Sequence, residues 1–193
     1  MADVSFENRV VIVTGAGNGL GKAYALELGK RGAKVVVNDL GGAVDGSGSG
    51  NSPADDVVNE IIENGGEAVA NYDSVATKDG GESIVQTAVD SFGTVDAVIN
   101  NAGILRDKSF ANMTEEEFSL IIEVHLKGTY FVTQPAFKIM KENNYGRIVN
   151  VASPSGLFGN FGQTNYGAAK MGIVGLTNVL AIEGAKYNIK VNV

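Results

Sequence analysis

Three side chains in the last third of the sequence, Ser153, Tyr166 and Lys170, could together carry out proton transfer. Tyr166 and Lys170 are four positions apart at the start of a predicted helix, so their side chains share one face. A free tyrosine has a pKa of about 10, and lowering it to about 7 takes roughly 4 kcal/mol of phenolate stabilisation. A unit charge about 4 Å away supplies roughly 4 kcal/mol at an effective dielectric constant of about 20. The pair therefore predicts a tyrosine acid/base, with the Ser153 hydroxyl holding the reacting oxygen.

The alternative for this pair is structural. Tyr-x-x-x-Lys is common on amphipathic helices, where the tyrosine packs and the lysine is solvated. The spacing alone does not distinguish the catalytic from the structural interpretation. That distinction depends on the other motifs of the sequence.

Composition narrows the possible chemistry. The 193 residues include no cysteine and a single histidine, His125, which excludes thiolate nucleophiles, the usual zinc clusters and Ser-His-Asp triads. Lys plus Arg number 15 against 22 Asp plus Glu, a net charge of -7 that argues against a nucleic-acid partner. No apolar run reaches the length of a membrane span, and the first residues lack a signal peptide's apolar stretch. We therefore predict an intracellular, soluble protein without a metal centre.

A glycine-rich turn, residues 14–21, joins the first predicted strand to the first helix. Its glycines permit a tight turn and let backbone N–H groups approach a pyrophosphate at the helix N-terminus. The spacing of Gly15, Gly19 and Gly21 is G-x-x-x-G-x-G, because Leu20 interrupts the strict dinucleotide pattern. We predict that five residues of this turn bind a dinucleotide: Gly15, Asn18, Gly19, Leu20 and Gly21. The alternative is a plain strand-to-helix turn.

Asp39 follows the second predicted strand, 24 positions beyond Gly15. A carboxylate there can accept hydrogen bonds from the adenosine ribose and repel a 2′-phosphate. Asn18 and Leu40 occupy positions where an Arg or Lys would be expected to hold that phosphate. The cofactor is therefore predicted to be NAD, and the structural alternative for Asp39 is a loop cap.

Alternating strands and helices position these residues. Repeated βα alternation predicts a single α/β domain with a Rossmann-type, doubly wound parallel sheet. We expect residues 41–53 to form a polar, mobile loop that does not pack. The last predicted strand runs to Val193 with no turn, cap or closing helix after it, and we expect the chain to be truncated there. Predicted strands are 10–13, 34–38, 67–70, 95–99, 147–151 and 189–193; predicted helices are 20–30, 54–64, 77–92, 114–143, bent at Pro135, and 164–187.

These motifs resemble the short-chain dehydrogenase/reductases. The residues that carry the resemblance are 14–21, the Asn-Asn-Ala-Gly of 100–103, Ser153, and 166–170. Within that family, residues 38–42, 70–75 and 159–163 resemble the (3R)-hydroxyacyl-CoA dehydrogenase part of peroxisomal multifunctional β-oxidation enzymes. The resemblance implies reversible oxidation of a (3R)-3-hydroxyacyl-CoA with NAD in a peroxisome, with the cytoplasm as the alternative location. It also implies that a last strand and a substrate lid would follow Val193.

The resemblance also implies further roles in cofactor binding. Tyr166 and Lys170 would contact the nicotinamide ribose. The remaining predicted cofactor-binding residues lie around the adenosine: Asp73, Ser74 and Val75 beside the adenine, and Asn101, Ala102 and Gly103 along the ribose.

Other activities remain open at this point. The substrate could be another secondary alcohol, such as a steroid or sugar, and the reaction could be 3-ketoacyl reduction with NADPH, which Asp39 opposes. A non-catalytic protein that binds NAD as a sensor or scaffold is the alternative outside enzymes. His125, where many members have an asparagine, is either a packing residue or part of a proton relay.

Two surfaces are candidates for partners. Arg106, Lys108 and Lys127 could form a basic patch for the acyl-CoA, although solvated loop charges are the simpler interpretation. The long helices 114–143 and 164–187 carry apolar residues on more than one face and could pair subunits of a homodimer or homotetramer. The apolar residues in question are Phe131, Ile173 and Leu176.

Overall fold

A parallel sheet forms the centre of the protein. In the computed structural model, which describes residues 4–43, 45–48 and 52–193, six strands lie in the order β3-β2-β1-β4-β5-β6. The strands are β1 (Val10–Thr14), β2 (Lys34–Asn38), β3 (Glu67–Asn71), β4 (Ala97–Asn100), β5 (Gly146–Asn150) and β6 (Ile189–Asn192). All neighbouring pairs are parallel, which confirms the predicted Rossmann-type α/β fold.

Helices cover both faces of the sheet, as the continuous apolar strands require. The helices are α1 (Gly19–Lys30), α2 (Ser52–Glu63), α3 (Lys78–Phe92), α4 (Glu115–Ile121), α5 (Gly128–Glu142), α6 (Pro154–Phe158) and α7 (Thr164–Gly184). Side chains of α1 and α2 pack on one face of the sheet, and those of α3 and α5 pack on the other. No helix in the described part of the chain is long and apolar enough to cross a bilayer.

The carboxyl ends of the strands present polar residues although the strands are buried. The strand order reverses between β1 and β4, which opens a crevice at the carboxyl ends, where open α/β sheets bind their ligands. The last residue of each of five strands is polar and buried: Thr14, Asn38, Asn71, Asn100 and Asn150.

The predicted helix 114–143 departs from regular geometry before Pro135. Residues Ile122–Lys127 form a π-helical turn between α4 and α5, and Pro135 lies inside α5. A π-helical turn widens the backbone by one residue and often marks a functional site. The bend at Pro135 stays a prediction, and the observed irregularity is the π-helical turn before it.

Four other predictions need correction. Residues 153–160, where no helix or strand was predicted, contain α6, whose N-terminus Ser153 caps by accepting from Ser155 N at 3.2 Å. The expectation that loop 41–53 does not pack is wrong for Gly46, whose Cβ, if present, would lie 2.9 Å from Ile104 Cδ1. Part of the loop that was predicted to be mobile, residues 44 and 49–51, lies outside the described residues.

The bounds of two elements also differ from the prediction. The strand predicted to begin at residue 95 begins at Ala97. The helix predicted to end at residue 187 ends earlier, and residues 185–187 form a 3-10 turn after α7.

Candidate active site

A cleft of about 400 Å³ opens at the crevice between β1 and β4. It is lined by residues from the glycine turn, the ends of β2 and β3, and the segment after β4. Predicted cofactor-binding residues that line it are Gly15, Asn18, Gly19, Asp39, Asp73, Ser74, Val75, Asn101, Ala102 and Gly103. Residues that the sequence did not single out also line it: Asn38, Gly42, Ala43, Gly46, Ala76, Ile104, Leu120 and Val124.

The glycine turn brings two backbone segments into close contact. Gly15 has φ +62, and a Cβ there would lie 2.7 Å from Ala102 Cα. A Cβ on Gly21 would lie 2.0 Å from Gly15 O, so this glycine allows α1 to pack against the turn. Gly21 and Leu20 do not line the cleft, and Leu20 is 64% exposed on α1. A direct contact of these two residues with a dinucleotide stays a prediction.

The Asp39 carboxylate caps two loops, the glycine turn and the segment that follows β2. Its Oδ2 accepts from Gly17 N at 2.7 Å, and its Oδ1 accepts from Gly41 N at 2.7 Å. A carboxylate has about four acceptor sites, so both oxygens can still accept from a ligand hydroxyl. Asp39 therefore does act as a loop cap, which was the structural alternative in the sequence analysis. Its carboxylate also lines the cleft.

Asp73 is oriented by a polar network behind the cleft. Its Oδ2 accepts from Ser83 Oγ at 2.7 Å and from Asn71 Nδ2 at 2.9 Å. Asn38 Nδ2 donates to Asn71 Oδ1 at 2.9 Å and to the carbonyl oxygen of Asp73 at 2.9 Å. Asn38 was not predicted, although a polar residue ending an apolar strand was the available signal.

The segment after β4 is tied to the glycine turn through Thr14. Thr14 Oγ1 accepts from the backbone N atoms of Asn101 and Ala102, both at 3.1 Å. Asn101 Nδ2 donates to the carbonyl oxygens of Thr14 and Gly15 at 3.1 and 3.0 Å. The two walls of the cleft are therefore held together by side-chain hydrogen bonds.

Tyr166 and Lys170 lie together at the start of α7. Lys170 Nζ is 5.5 Å from the centroid of the Tyr166 ring and donates to the carbonyl oxygen of Val151 at 2.6 Å. Burial lowers the pKa of Lys170 to about 8, so the ammonium form predominates at neutral pH. The alternative of a solvated lysine is excluded, because Lys170 is 3% exposed.

Ser153 precedes α6, which packs on the start of α7. A Cβ on Gly156 would lie 3.2 Å from Lys170 Cβ, and one on Gly167 would lie 3.1 Å from Ser155 O. Ser153 and Tyr166 are both partly buried. Ser153, Tyr166 and Lys170 do not line the cleft described above, and their contact with a cofactor stays a prediction.

His125 lies behind Tyr166, in the π-helical turn. The two rings pack edge to face with centroids 5.1 Å apart. His125 Nε2 lies 2.8 Å from the carbonyl oxygen of Ile104 and 3.1 Å from its N atom, and it donates to the oxygen or accepts from the N–H according to the tautomer. Nδ1 is the one buried side-chain N or O atom in the described residues without a partner.

The pKa of His125 is lowered to about 4, first by burial and then by the nearby Lys170 charge. The hydrogen bond with Ile104 opposes this shift only in part. His125 is therefore neutral at physiological pH, and a Cβ on Gly103 would come within 2.4 Å of its Cε1. Its packing role is visible in these contacts, whereas a relay role stays a prediction.

Asn165 is a positioning residue that sequence reasoning missed. It is fully buried and immediately precedes Tyr166. Its Nδ2 donates to the carbonyl oxygens of Arg106 and Glu117 at 2.9 and 3.1 Å, and its Oδ1 accepts from Tyr166 N at 2.7 Å. One amide thus ties the start of α7 to two other segments.

None of the three basic residues proposed for a patch lines the cleft. Arg106 lies 3.7 Å from Asp45, and Lys127 lies 3.8 Å from Glu123 on its own helix. Lys108 is exposed, and its backbone pairs with Gly162. Among the residues described, no group of three or more His, Asp or Glu side chains could hold a metal ion.

The fold and these motifs agree with comparisons to known proteins. The family profile described as short chain dehydrogenase matches residues 9–193. The chain belongs to the short-chain dehydrogenase family. It is thus an oxidoreductase of a family that typically uses NAD or NADP.

Individual relatives refine this placement. The chain is 61% identical over 190 residues to the peroxisomal hydratase-dehydrogenase-epimerase of Saccharomyces cerevisiae, covering 98% of the chain and 21% of the relative. It therefore spans about a fifth of that protein. The similarity confirms the resemblance to peroxisomal multifunctional enzymes.

Solved structures show the same fold. A short chain dehydrogenase from Mycobacterium avium superposes with a TM-score of 0.90 at 48% identity, covering 98% of this chain and 67% of that one. An NAD+-bound xylitol dehydrogenase superposes with a TM-score of 0.89 at 29% identity, covering 98% and 70%.

Proposed function

We propose that the protein is an NAD-dependent dehydrogenase that interconverts a (3R)-3-hydroxyacyl-CoA and the corresponding 3-ketoacyl-CoA. The observation that carries this proposal is the buried Lys170 ammonium, 5.5 Å from the Tyr166 ring at the start of α7. A buried cation beside a phenol stabilises the phenolate, which is the form that accepts a proton from an alcohol.

The residues of the cleft fit a dinucleotide. A Cβ on Gly15 or Gly17 would lie within 2.8 Å of a neighbouring atom, so the closely packed turn has room for glycine only at these two positions. Gly15 and Gly19 would bind the pyrophosphate, and Asp39 would bind the adenosine ribose. Because a 2′-phosphate would meet the Asp39 carboxylate, NAD is favoured over NADP. The bound cofactor supplies the hydride acceptor for the oxidation.

The protein's own residues handle the proton. In the oxidative direction the Tyr166 oxygen accepts the proton of the substrate hydroxyl, and in the reductive direction it returns that proton to the carbonyl oxygen. Ser153 Oγ donates a hydrogen bond to the same substrate oxygen and stabilises its partial charge. Lys170 keeps the ammonium against the Tyr166 ring through its bond to Val151.

The substrate is proposed from the relatives and the segments that resemble theirs. The yeast relative's name includes both a hydratase and a dehydrogenase. Arg106 and Lys108, near the start of α7, are candidates to contact the CoA phosphates. A peroxisomal location is proposed from the same relative's name.

Turnover measurements test this function. With NAD as cofactor, NADH formation should be faster with (3R)-hydroxyacyl-CoA than with the (3S) isomer, steroids, xylitol or other sugar alcohols. Tyr166→Phe should lower kcat by about 10²–10⁴-fold, because the proton acceptor is lost. The matched control is Tyr130→Phe, a change at an exposed position on α5, which should keep the parent rate.

Three results would contradict the proposal. Faster turnover with xylitol or a steroid would assign a different alcohol, and turnover with NADP alone would assign the reductase. NADH binding without any turnover would assign the sensor or scaffold. Asp39→Ser should relax the preference for NAD while leaving the Tyr166 chemistry in place.

A further inference from the structure

We propose that Asn18 is a site of spontaneous deamidation and that its conversion weakens dinucleotide binding. The backbone nitrogen of Gly19 attacks Asn18 Cγ, and the side-chain nitrogen leaves as ammonia with the Gly19 amide proton. Water then opens the five-membered imide to aspartate or isoaspartate, with no change in oxidation state. The effect on the cofactor rests on the proposed function, whereas the modification does not.

The sequence contains two Asn-Gly pairs, Asn18–Gly19 and Asn64–Gly65. Glycine after asparagine favours the attack, since no Cβ hinders the approach of its nitrogen. Both asparagines are exposed, so water reaches both. Sequence and exposure alone therefore do not distinguish the two positions.

At Asn64 both reacting groups are engaged. Asn64 Nδ2 donates to the carbonyl oxygen of Glu60 at 2.7 Å, and Gly65 N donates to the carbonyl oxygen of Ile62 at 2.9 Å. Attack would require both hydrogen bonds to break. Asn64 is thus an internal control for the reaction.

At Asn18 neither group is engaged by any of the described residues. Asn18 occupies the N-cap position of α1, but its side chain makes no capping hydrogen bond. Gly19 is the first residue of α1, and its N–H therefore has no acceptor within the helix. In the described part of the chain no other atom accepts from Gly19 N, and a Cβ on this residue, at φ +55, would meet nothing within 4 Å.

Conversion would change the charge of the cleft. Asn18 and Gly19 both line it, at the N-terminus of α1, where the pyrophosphate would bind. Each product adds a negative charge that repels the phosphates, and isoaspartate also adds a carbon to the backbone before Gly19. We therefore expect aged protein to bind the dinucleotide more weakly.

Peptide mapping by mass spectrometry tests the modification itself. The protein is incubated at mildly alkaline pH with and without NAD+, and amide-to-acid conversion is followed at both pairs. Conversion should be several-fold greater at Asn18 than at Asn64, and NAD+ should slow it at Asn18 only. Equal or greater conversion at Asn64 would overturn the proposal.

Variants connect the modification to binding. Asn18→Asp should raise the Kd for NADH about fivefold, the effect of roughly 1 kcal/mol of repulsion. Asn18→Ser, which cannot form the imide, should lose the decline in affinity with age, whereas Asn64→Ser should decline like the parent. A decline that persists in Asn18→Ser overturns the proposal. Fresh protein that binds no dinucleotide contradicts the proposed function instead, and the mass spectra still decide the modification.

Discussion

Lys170 combines two properties that oppose each other, burial and positive charge. Burial alone lowers its pKa from 10.5 to about 8. The hydrogen bond to Val151 and the neighbouring Tyr166 ring stabilise the ammonium form in return. The ammonium charge beside the Tyr166 ring is thus present at neutral pH and is lost as pH rises through about 8.

His125 should make folding stability depend on pH in the acid range. Its pKa is about 4 in the folded protein and 6.5 when unfolded, so the unfolded state binds more protons between these values. Stability should therefore fall by about 3 kcal/mol as pH decreases from 6.5 to 4, beyond the effect of the carboxylates. The physical cause is the cost of charging a buried imidazole beside Lys170.

Urea unfolding of the parent and of His125→Asn across that pH range measures this contribution. Carboxylates titrate equally in both proteins, so the difference between the two curves isolates His125. The variant should lose less stability towards acid pH. Parallel curves would show that the imidazole is not charged at a cost in the folded state.

At the scale of elements, the sequence predicted the strands and most helices, because hydrophobic periodicity is local. The turn 14–21 and Asp39 were found in the same way, from glycine spacing and the end of an apolar strand. The π-helical turn was not predicted, and the contact of its His125 with Ile104, 21 positions away, joins segments that local periodicity does not relate. Asn165 was missed for a similar reason, because its partners belong to distant segments.

Pro135 and Gly81 explain how α3 and α5 approach each other. Proline has no N–H, so the carbonyl oxygen of Phe131, four residues earlier, receives no helical hydrogen bond from it. That carbonyl faces α3, where a Cβ on Gly81 would lie 2.6 Å from it. The glycine thus allows the helices to pack closely.

We expect Gly81→Ala to lower the free energy of unfolding by about 1–3 kcal/mol, the usual cost of overpacking. Alanine favours a helix over glycine, so a loss of stability would come from the contact with Phe131. The control is Gln86→Ala, a change at an exposed position on α3 that should stay within about 0.5 kcal/mol of the parent. Chemical denaturation gives both values, and equal stability of the two variants would contradict the packing argument.

At the scale of the whole molecule, the outer face of α7 indicates assembly. Ile173, one of the residues predicted for a subunit interface, is buried in the chain's own core, so that prediction was wrong for this residue. Phe131 packs against Gly81 through its backbone and Cβ. Exposed apolar side chains lie instead at Met171, Val179 and Ile182, which share one face of the helix.

We expect this face to bind a second copy of the chain, and Ile182→Lys to shift the protein towards monomers. Ile182 is 78% exposed, and a charge placed there would have to be desolvated at the centre of an apolar contact. Ile62→Lys is the matched control, because Ile62 is 53% exposed on α2, which packs on the opposite face of the sheet. Sedimentation velocity should give an oligomer for the parent and for Ile62→Lys, and a smaller species for Ile182→Lys. A monomeric parent, or an unchanged sedimentation coefficient for Ile182→Lys, would show that this face of α7 does not join subunits.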